Sequence, residues 1–327
     1  MALPSQDILR GQLVDRRQGL EDAISRVGES DQLVHLLQEV DAALEKINGG
    51  TYGLCEACNE PIEEDRLEVD PLRRNCLPHL TEAEQRMLRY DRDLAAEVQT
   101  KLLPKRGFGT KAWDTAYYYK PAGAVSGDYV DILGSNGDDG CFCFVVGDVT
   151  GKGVAASILM SNLHAIFRSL AKSTKSVGPL LEQANRLFCE GTTSRYFATI
   201  VVGQATSSGG LEISNAGHPA PILVQGNRVQ TVPSEGVPIG MFCRGVYTAT
   251  RLTTAPGDTL VLYTDGLTEA RNITEEEYGE PRLLSLLEKT NSLSPADLVK
   301  VVVDDLNAFR SGAQVLDDMA ILVLRRR

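Results

Sequence analysis

The hydrophobic period of this chain changes once, near Pro104, and the change limits the folds open to it. Before that proline, apolar residues recur every three or four positions. Leu13, Leu20, Ile24 and Val27 form one run, and Leu33, Leu37, Val40, Leu44 and Ile47 form a second. Gly28-Glu29-Ser30-Asp31 separates them and offers Ser30 or Asp31 as an N-cap, so residues 5–48 predict a helical hairpin. Gly49-Gly50 ends its second helix. Thr81-Glu82-Ala83-Glu84 fits a capping box and opens a further helix over 81–103, striped by Met87, Leu94, Val98 and Leu102. Such stripes are packing seams, either internal or with a second chain. After residue 105 the apolar runs shorten. Strands are expected at 113–119, 129–133, 141–146, 198–204, 211–215, 220–224, 246–253, 259–263 and 320–324. Helices are expected at 153–171, 177–190, 280–289 and 295–310. Many strands in succession, with few helices between them, exclude a doubly wound parallel sheet. They predict an α+β unit of antiparallel sheets covered by helices.

With 43% hydrophobic and 24% charged residues among 327, the chain has the composition of a soluble globular protein. No apolar run approaches the ~20 residues of a membrane span, so no membrane partner is expected. Met1-Ala2-Leu3-Pro4-Ser5 has no basic stretch leading into an apolar one, which gives the expectation of a cytoplasmic protein. The net charge of −11 is uneven: residues 1–104 hold 12 Lys and Arg against 21 Asp and Glu. An acidic N-terminal part is poorly suited to neutralise phosphates, so no nucleic acid is expected as a partner. The seven cysteines are odd in number and scattered, and they read as reduced thiols, Cys189 and Cys243 among them. Cys141 and Cys143 alternate along a strand and share a face.

Cys55 and Cys58 are two residues apart, as are Cys76 and His79, with 17 residues between the pairs. Two such knuckles set three thiolates and an imidazole around Zn²⁺. Four protein ligands close the sphere, which makes the ion structural. The run from Leu44 through Gly49-Gly50-Thr51-Tyr52-Gly53-Leu54 to Cys55, Cys58, Pro61-Ile62, Arg66-Leu67-Glu68 and Cys76 resembles the DksA/TraR-type zinc finger, over residues 33–80. In that family the finger lies beside a helical hairpin, and some members act in the secondary channel of RNA polymerase. The acidic residues Glu29 and Asp31 at the hairpin tip suit that analogy. It leaves an alternative reading: a non-catalytic, transcription-associated interaction protein with a phosphatase-like binding domain.

Four aspartates stand at the ends of expected strands, in Gly127-Asp128-Tyr129, Gly147-Asp148-Val149, Thr264-Asp265-Gly266 and Asp317-Asp318-Met319. Taken singly, each is an ordinary turn residue. Taken together, they repel one another, and a divalent cation keeps them ionised. Mg²⁺ and Mn²⁺ select such oxygens, with the Val149 carbonyl as a further donor. Gly151 and Gly153 then feed a helix N-terminus that favours anions. His218, in the turn Asn215-Ala216-Gly217-His218-Pro219, is either a general acid, a metal ligand or a loop-fixing residue. His164 lies within a helical run and reads as structural.

The motif order carries a second resemblance. It runs from Leu94 to Pro104, then through Ser126-Gly127-Asp128-Tyr129-Val130-Asp131, Gly147-Asp148-Val149-Thr150-Gly151-Lys152-Gly153 and Phe197-Ala198-Thr199. Asn215-Ala216-Gly217-His218-Pro219, Gly236-Val237-Pro238-Ile239-Gly240, Tyr263-Thr264-Asp265-Gly266-Leu267 and Asp317-Asp318-Met319-Ala320 complete it. Residues 94–327 thereby resemble the metal-dependent PPM serine/threonine phosphatases, in the bacterial SpoIIE/RsbU branch. The resemblance implies an antiparallel β-sandwich flanked by α-helices, with two Mn²⁺ or Mg²⁺ ions in a cleft at one end. It implies that Asp128, Asp148, Asp265 and Asp317 are catalytic metal ligands with the Val149 carbonyl, and that Asp318 is the fallback for Asp317. The implied reaction is hydrolysis of phosphoserine or phosphothreonine by water activated at the two ions. The implied substrate is a phosphorylated STAS-domain anti-sigma-factor antagonist. The expected organisation is a helical hairpin (1–48), a zinc finger (49–80), a linker helix (81–104) and a phosphatase domain (105–327). The N-terminal unit is expected to be regulatory, with homodimers formed through the N-terminal and linker helices.

Overall fold

The computed structural model describes the chain apart from residues 1–5, 29, 64–65, 68–69, 135–140, 175, 194, 234–235 and 291, with residues 6–8 described in backbone only. The expectations placed on Glu29 and Glu68 fall outside the described residues. The chain divides into two compact units, Met1–Asp91 and Arg92–Arg327.

In the first unit, helices α1 (Gln6–Val27) and α2 (Asp31–Asn48) form the hairpin. Ser30 is the cap: its hydroxyl accepts the Leu33 N–H at 3.3 Å, satisfying a donor the helix cannot. Leu13, Leu20 and Val40 turn inward onto Tyr52, Cys55, Ile62, Leu67 and Cys76, so the hairpin and the cysteine segment share one small core. Helix α3 (Glu82–Leu102) contains the division between the units. Its start is the expected capping box: the Glu84 carboxylate accepts the Thr81 N–H at 2.9 Å, and the Thr81 hydroxyl accepts the Glu84 N–H at 3.3 Å.

In the second unit, two five-stranded antiparallel sheets lie face to face. One has the order β1-β10-β9-β6-β7, with β1 Trp113–Lys120, β6 Ile222–Gln225, β7 Arg228–Thr231, β9 Thr259–Tyr263 and β10 Met319–Arg326. The other has β2-β3-β4-β5-β8, with β2 Asp128–Leu133, β3 Phe142–Val149, β4 Ala198–Ala205, β5 Gly210–Ala216 and β8 Thr250–Thr253. Side chains alternate between faces along a strand. Ala320, Leu322 and Leu324 of β10 therefore meet Phe142, Phe144 and Val146 of β3 in the core between the sheets. Ile321 and Val323 face the other way, onto Leu283 and Leu287 of α6 (Glu280–Lys289) and Val302 and Leu306 of α7 (Pro295–Arg310). The second sheet is covered likewise by α4 (Gly153–Leu170) and α5 (Val177–Gly191), through Met160, Leu163, Leu180 and Phe188.

Four details depart from the sequence expectations. The expected strand at 246–253 shortens to Thr250–Thr253, and β7 is an additional strand. Gln225 pairs with Arg228 across a two-residue Gly226-Asn227 turn in which Gly226 has φ 57°, so a tight hairpin doubles back there. Cys189 and Cys243 are not free thiols but a disulfide, with Cα atoms 5.7 Å apart. They are 54 residues apart in sequence, and only the packing of a loop against the end of α5 brings them together. Cys141 is exposed while Cys143 is buried, because Cys141 precedes the first residue of β3.

Gly203 shows how closely this interior is filled: a Cβ there would lie 2.1 Å from Cζ of the fully buried Phe144. Gly203→Ala is expected to destabilise the second unit by about 1–3 kcal/mol. In urea unfolding this should lower the midpoint at unchanged slope.

Candidate active site and zinc centre

Antiparallel pairing determines where the aspartates arrive. Strand β2 starts, and β3 ends, at the same edge: Asp128 pairs directly with Asp148. In the facing sheet β9 ends beside the start of β10, since Tyr263 pairs with Ile321. Asp265 therefore follows β9, and Asp317-Asp318 precede β10, at one end of that sheet. Thr264 joins the two ends. Its hydroxyl donates to Asp128 Oδ2 at 2.9 Å and accepts the Ala320 N–H at 2.8 Å.

The loop from β1 to β2 lies across this end. Asp318 holds it, accepting the N–H groups of Ala122 at 2.7 Å and Gly127 at 2.9 Å, one on each oxygen. Asp317 is left more open; its Oδ1 lies 3.2 Å from Lys152 Nζ and accepts the Asp318 N–H at 3.0 Å. The two neighbours thus divide the work: Asp318 fixes a loop, and Asp317 presents its carboxylate. Gly127 must be glycine, because a Cβ would lie 2.9 Å from the Val149 carbonyl oxygen and 3.3 Å from Asp148 Oδ1. The same distances bring the Val149 carbonyl and the Asp148 carboxylate together over Gly127. At Gly266 a Cβ would fall 1.8 Å from the Asp318 carbonyl oxygen.

Electrostatics agrees with the geometry. Burial first, then the charges of Asp265, Asp317 and Asp318, push the Asp148 carboxyl up to about 7. Burial, followed by the charge of Asp148, raises Asp128 well above the usual carboxylate range, against the stabilising hydrogen bond from Thr264. Asp265 is raised by burial and by Asp317. Hard oxygen donors that are costly to ionise together fit divalent Mg²⁺ or Mn²⁺.

His218 is 4% exposed, and burial lowers its imidazole to about 3. Its Nδ1 lies 2.9 Å from the Thr199 hydroxyl, its N–H donates to Asn215 Oδ1, and its carbonyl accepts from Asn215 Nδ2. Of the three roles open to it, loop fixing is the one this environment suits. His164 lies 3.6 Å from the buried Asp131, which Arg168 grips with two bonds of 2.9 Å. That cluster is structural.

Sequence reasoning missed the supports of Asp128. Thr264 is one. Ser126 is another: its hydroxyl accepts the Asp128 N–H at 3.0 Å. The third is Gln99 on α3, 4% exposed, whose amide donates to the Ser126 carbonyl at 2.7 Å and accepts the Ser126 N–H at 2.9 Å. Lys152 was visible only as one letter of a glycine-rich turn. A threonine directly before a strand-ending aspartate was the one signal available.

In the first unit, Cys55, Cys58, Cys76 and His79 place one ligand atom each within 4.8 Å of one another. Among the described residues no other group of three or more such side chains is so compact; the aspartates stand further apart. Cys58 and Cys76 sulfurs are 3.7 Å apart, and Cys76 Sγ is 3.2 Å from His79 Nδ1. Burial, with the neighbouring Cys55 and Cys58, pushes the Cys76 thiol up to about 11. Burial also acts to raise Cys55, yet the N–H groups of Cys76, Ala57 and Cys58 bring it down to about 6. Thiols that cannot all ionise alone, set around one imidazole, fit tetrahedral Zn²⁺.

A Stage II sporulation protein E (SpoIIE) model matches residues 138–327, more than half of the chain. A prokaryotic dksA/traR C4-type zinc finger model matches residues 50–78, so His79 lies just past it, in the place of a fourth cysteine. Protein IcfG of Synechocystis is 26% identical over 267 residues, covering 73% of this chain. The chain spans 42% of that relative's length. Phosphoserine phosphatase RsbU of Bacillus subtilis is 27% identical over 247 residues, 74% of this chain and 72% of RsbU. The solved SiaA-PP2C domain of Pseudomonas aeruginosa superposes with a TM-score of 0.66 at 20% identity, over 75% of this chain and 99% of that one, and so shares the fold.

Two predictions follow from the two centres. The raised Asp148 carboxyl favours the metal-free fold while protonated, and this contribution is lost as pH rises through about 7. Asp148→Asn should therefore stabilise the metal-free protein at pH 8 by at least about 1.4 kcal/mol, the value of one pKa unit. It should do little only below about pH 3.8, where the carboxyl is protonated in the unfolded chain as well; paired thermal melts in EDTA check it. Cys58→Ser should lower bound zinc, measured by elemental analysis, from one per chain toward none, and should expose residues 50–79 to protease.

Proposed function

The chain belongs to the Stage II sporulation protein E (SpoIIE) family, and on that premise we propose that it is a metal-dependent protein serine/threonine phosphatase. The observation that carries the reading is the meeting of Asp128, Asp148, Asp265 and Asp317 at one end of the paired sheets, with the carboxyls of Asp128, Asp148 and Asp265 raised by burial and by neighbouring carboxylates. The relative RsbU is a phosphoserine phosphatase, which supports the substrate class.

Asp128, Asp148, Asp265, Asp317 and the Val149 carbonyl would hold two Mn²⁺ or Mg²⁺ ions. Such ions, when bound, supply Lewis acidity that activates water and offsets charge on phosphoryl oxygens. The chain's own residues do the rest. Thr264 and Ser126 orient Asp128, and Asp318 pins the loop that carries Gly127. Lys152, beside Asp317 and at the N-cap of α4, sets positive charge and a helix N-terminus where an anionic phosphoryl group is drawn in. His218, buried and neutral, is not the leaving-group acid.

The proposed substrate is a phosphorylated regulatory protein of the anti-sigma-factor antagonist class, acted on in the cytoplasm. The zinc unit is proposed to regulate the phosphatase through α3, whose Gln99 is bonded to Ser126, two residues before Asp128. Met87, Leu94 and Val98 of α3 are 69%, 47% and 52% exposed. This open apolar stripe supports a homodimer through the linker helix.

Hydrolysis of a chromogenic phosphate ester with Mn²⁺ should vanish in EDTA. Asp148→Ala and Asp265→Ala should each lower kcat at least about 100-fold with an unchanged circular dichroism spectrum. Turnover retained by either variant would reject these ligand assignments.

A further inference from the structure

We infer that Cys189 and Cys243 are a reversible thiol–disulfide site, closed and opened by exchange with a low-molecular-weight disulfide and its thiol, which staples residues 236–247 to the end of α5. The placement of the pair carries the inference. Cys189 is half-buried in the last turn of α5, and Cys243 is exposed on the facing loop. Hydrogen bonds to α5 flank the disulfide on this loop, and on its far side the Tyr247 N–H donates to Glu182 Oε1 at 3.4 Å. Asn185, one turn before Cys189, donates its side-chain amide to the Phe242 carbonyl at 2.8 Å and accepts the Gly240 N–H at 2.8 Å. Ile239 then exchanges two backbone bonds of 2.9 Å with Ala198, which pairs with Val149 at the end of β3. The disulfide therefore closes a short path from the loop surface to the strand that carries Asp148.

The remaining cysteines are differently placed. Cys55, Cys58 and Cys76 belong to the zinc group, Cys143 is buried with its thiol pushed up to about 11, and Cys141 is exposed with no disulfide partner. Only Cys243 combines access with a partner in reach.

Exchange with oxidised glutathione balances in two steps. The Cys243 thiolate attacks one glutathione sulfur, forms a mixed disulfide and releases the first glutathione thiol. Cys189, losing its proton, then attacks the Cys243 sulfur, forms the protein disulfide and releases the second. Two protein thiols are oxidised and one glutathione disulfide is reduced; excess reduced glutathione runs the sequence backwards.

The full-length, zinc-loaded protein should be incubated with oxidised or reduced glutathione, alkylated and mapped by mass spectrometry. A 189–243 linked peptide is expected after oxidation, and two alkylated thiols after reduction. Cys189→Ser, checked for folding by its melt, should stop at a glutathione adduct on Cys243. Hydrogen exchange across residues 236–247 should slow several-fold on oxidation in the natural sequence and not in Cys189→Ser. Alkylation of both cysteines after oxidation would overturn the site. A linked peptide without slowed exchange would overturn the staple.

Discussion

Carboxylates crowded at one end of a β-sandwich repel each other, and the second unit is organised around containing that repulsion. Asp128 and Asp148 are direct partners across two strands, so neither can withdraw without breaking the ladder. Asp265 and Asp317 come from the facing sheet, and Thr264 bonds one sheet to the other. The rest of the architecture holds these side chains where they would not settle alone. Helices cover both outer faces, so β3, β4, β9 and β10 are buried on two sides and their register is firm. A one-residue slip of β3 would put Asp148 on the opposite face and Gly147 or Val149 in its place.

Much of this was legible from sequence because local signals were strong. The helices at 280–289 and 295–310 and the strand at 259–263 match the structure residue for residue. Their caps and apolar periods sit in the same few residues. The aspartates were legible because each borders an apolar run: Asp148 and Asp265 stand where a strand stops, and Asp128 and Asp317 where one starts. The hairpin at Gly226-Asn227 had a signal too, a glycine–asparagine pair between short apolar segments.

Other features had no local signal. Gln99 sits on a helix, 27 residues before Ser126, and nothing in its neighbourhood marks it as buried. The Cys189–Cys243 pairing depends on how a loop returns over α5. The division between Asp317 and Asp318 was open in sequence, since adjacent identical residues carry no difference until the loop at 122–127 takes both oxygens of one of them. In the zinc finger, spacing alone named the donors; the sharing of its core with the hairpin emerged only from the packing of Tyr52 and Ile62.

The grip of Gln99 on Ser126 has a consequence for timing. A side-chain amide is flat, and its oxygen and nitrogen meet one backbone unit together, so the two bonds hold or fail as a pair. Axial sliding of α3 by a single residue, about 1.5 Å with a turn of roughly 100°, would break both. Nothing intermediate is offered between engaged and released. A signal arriving along this helix would therefore shift the population between two discrete states instead of deforming the site by degrees.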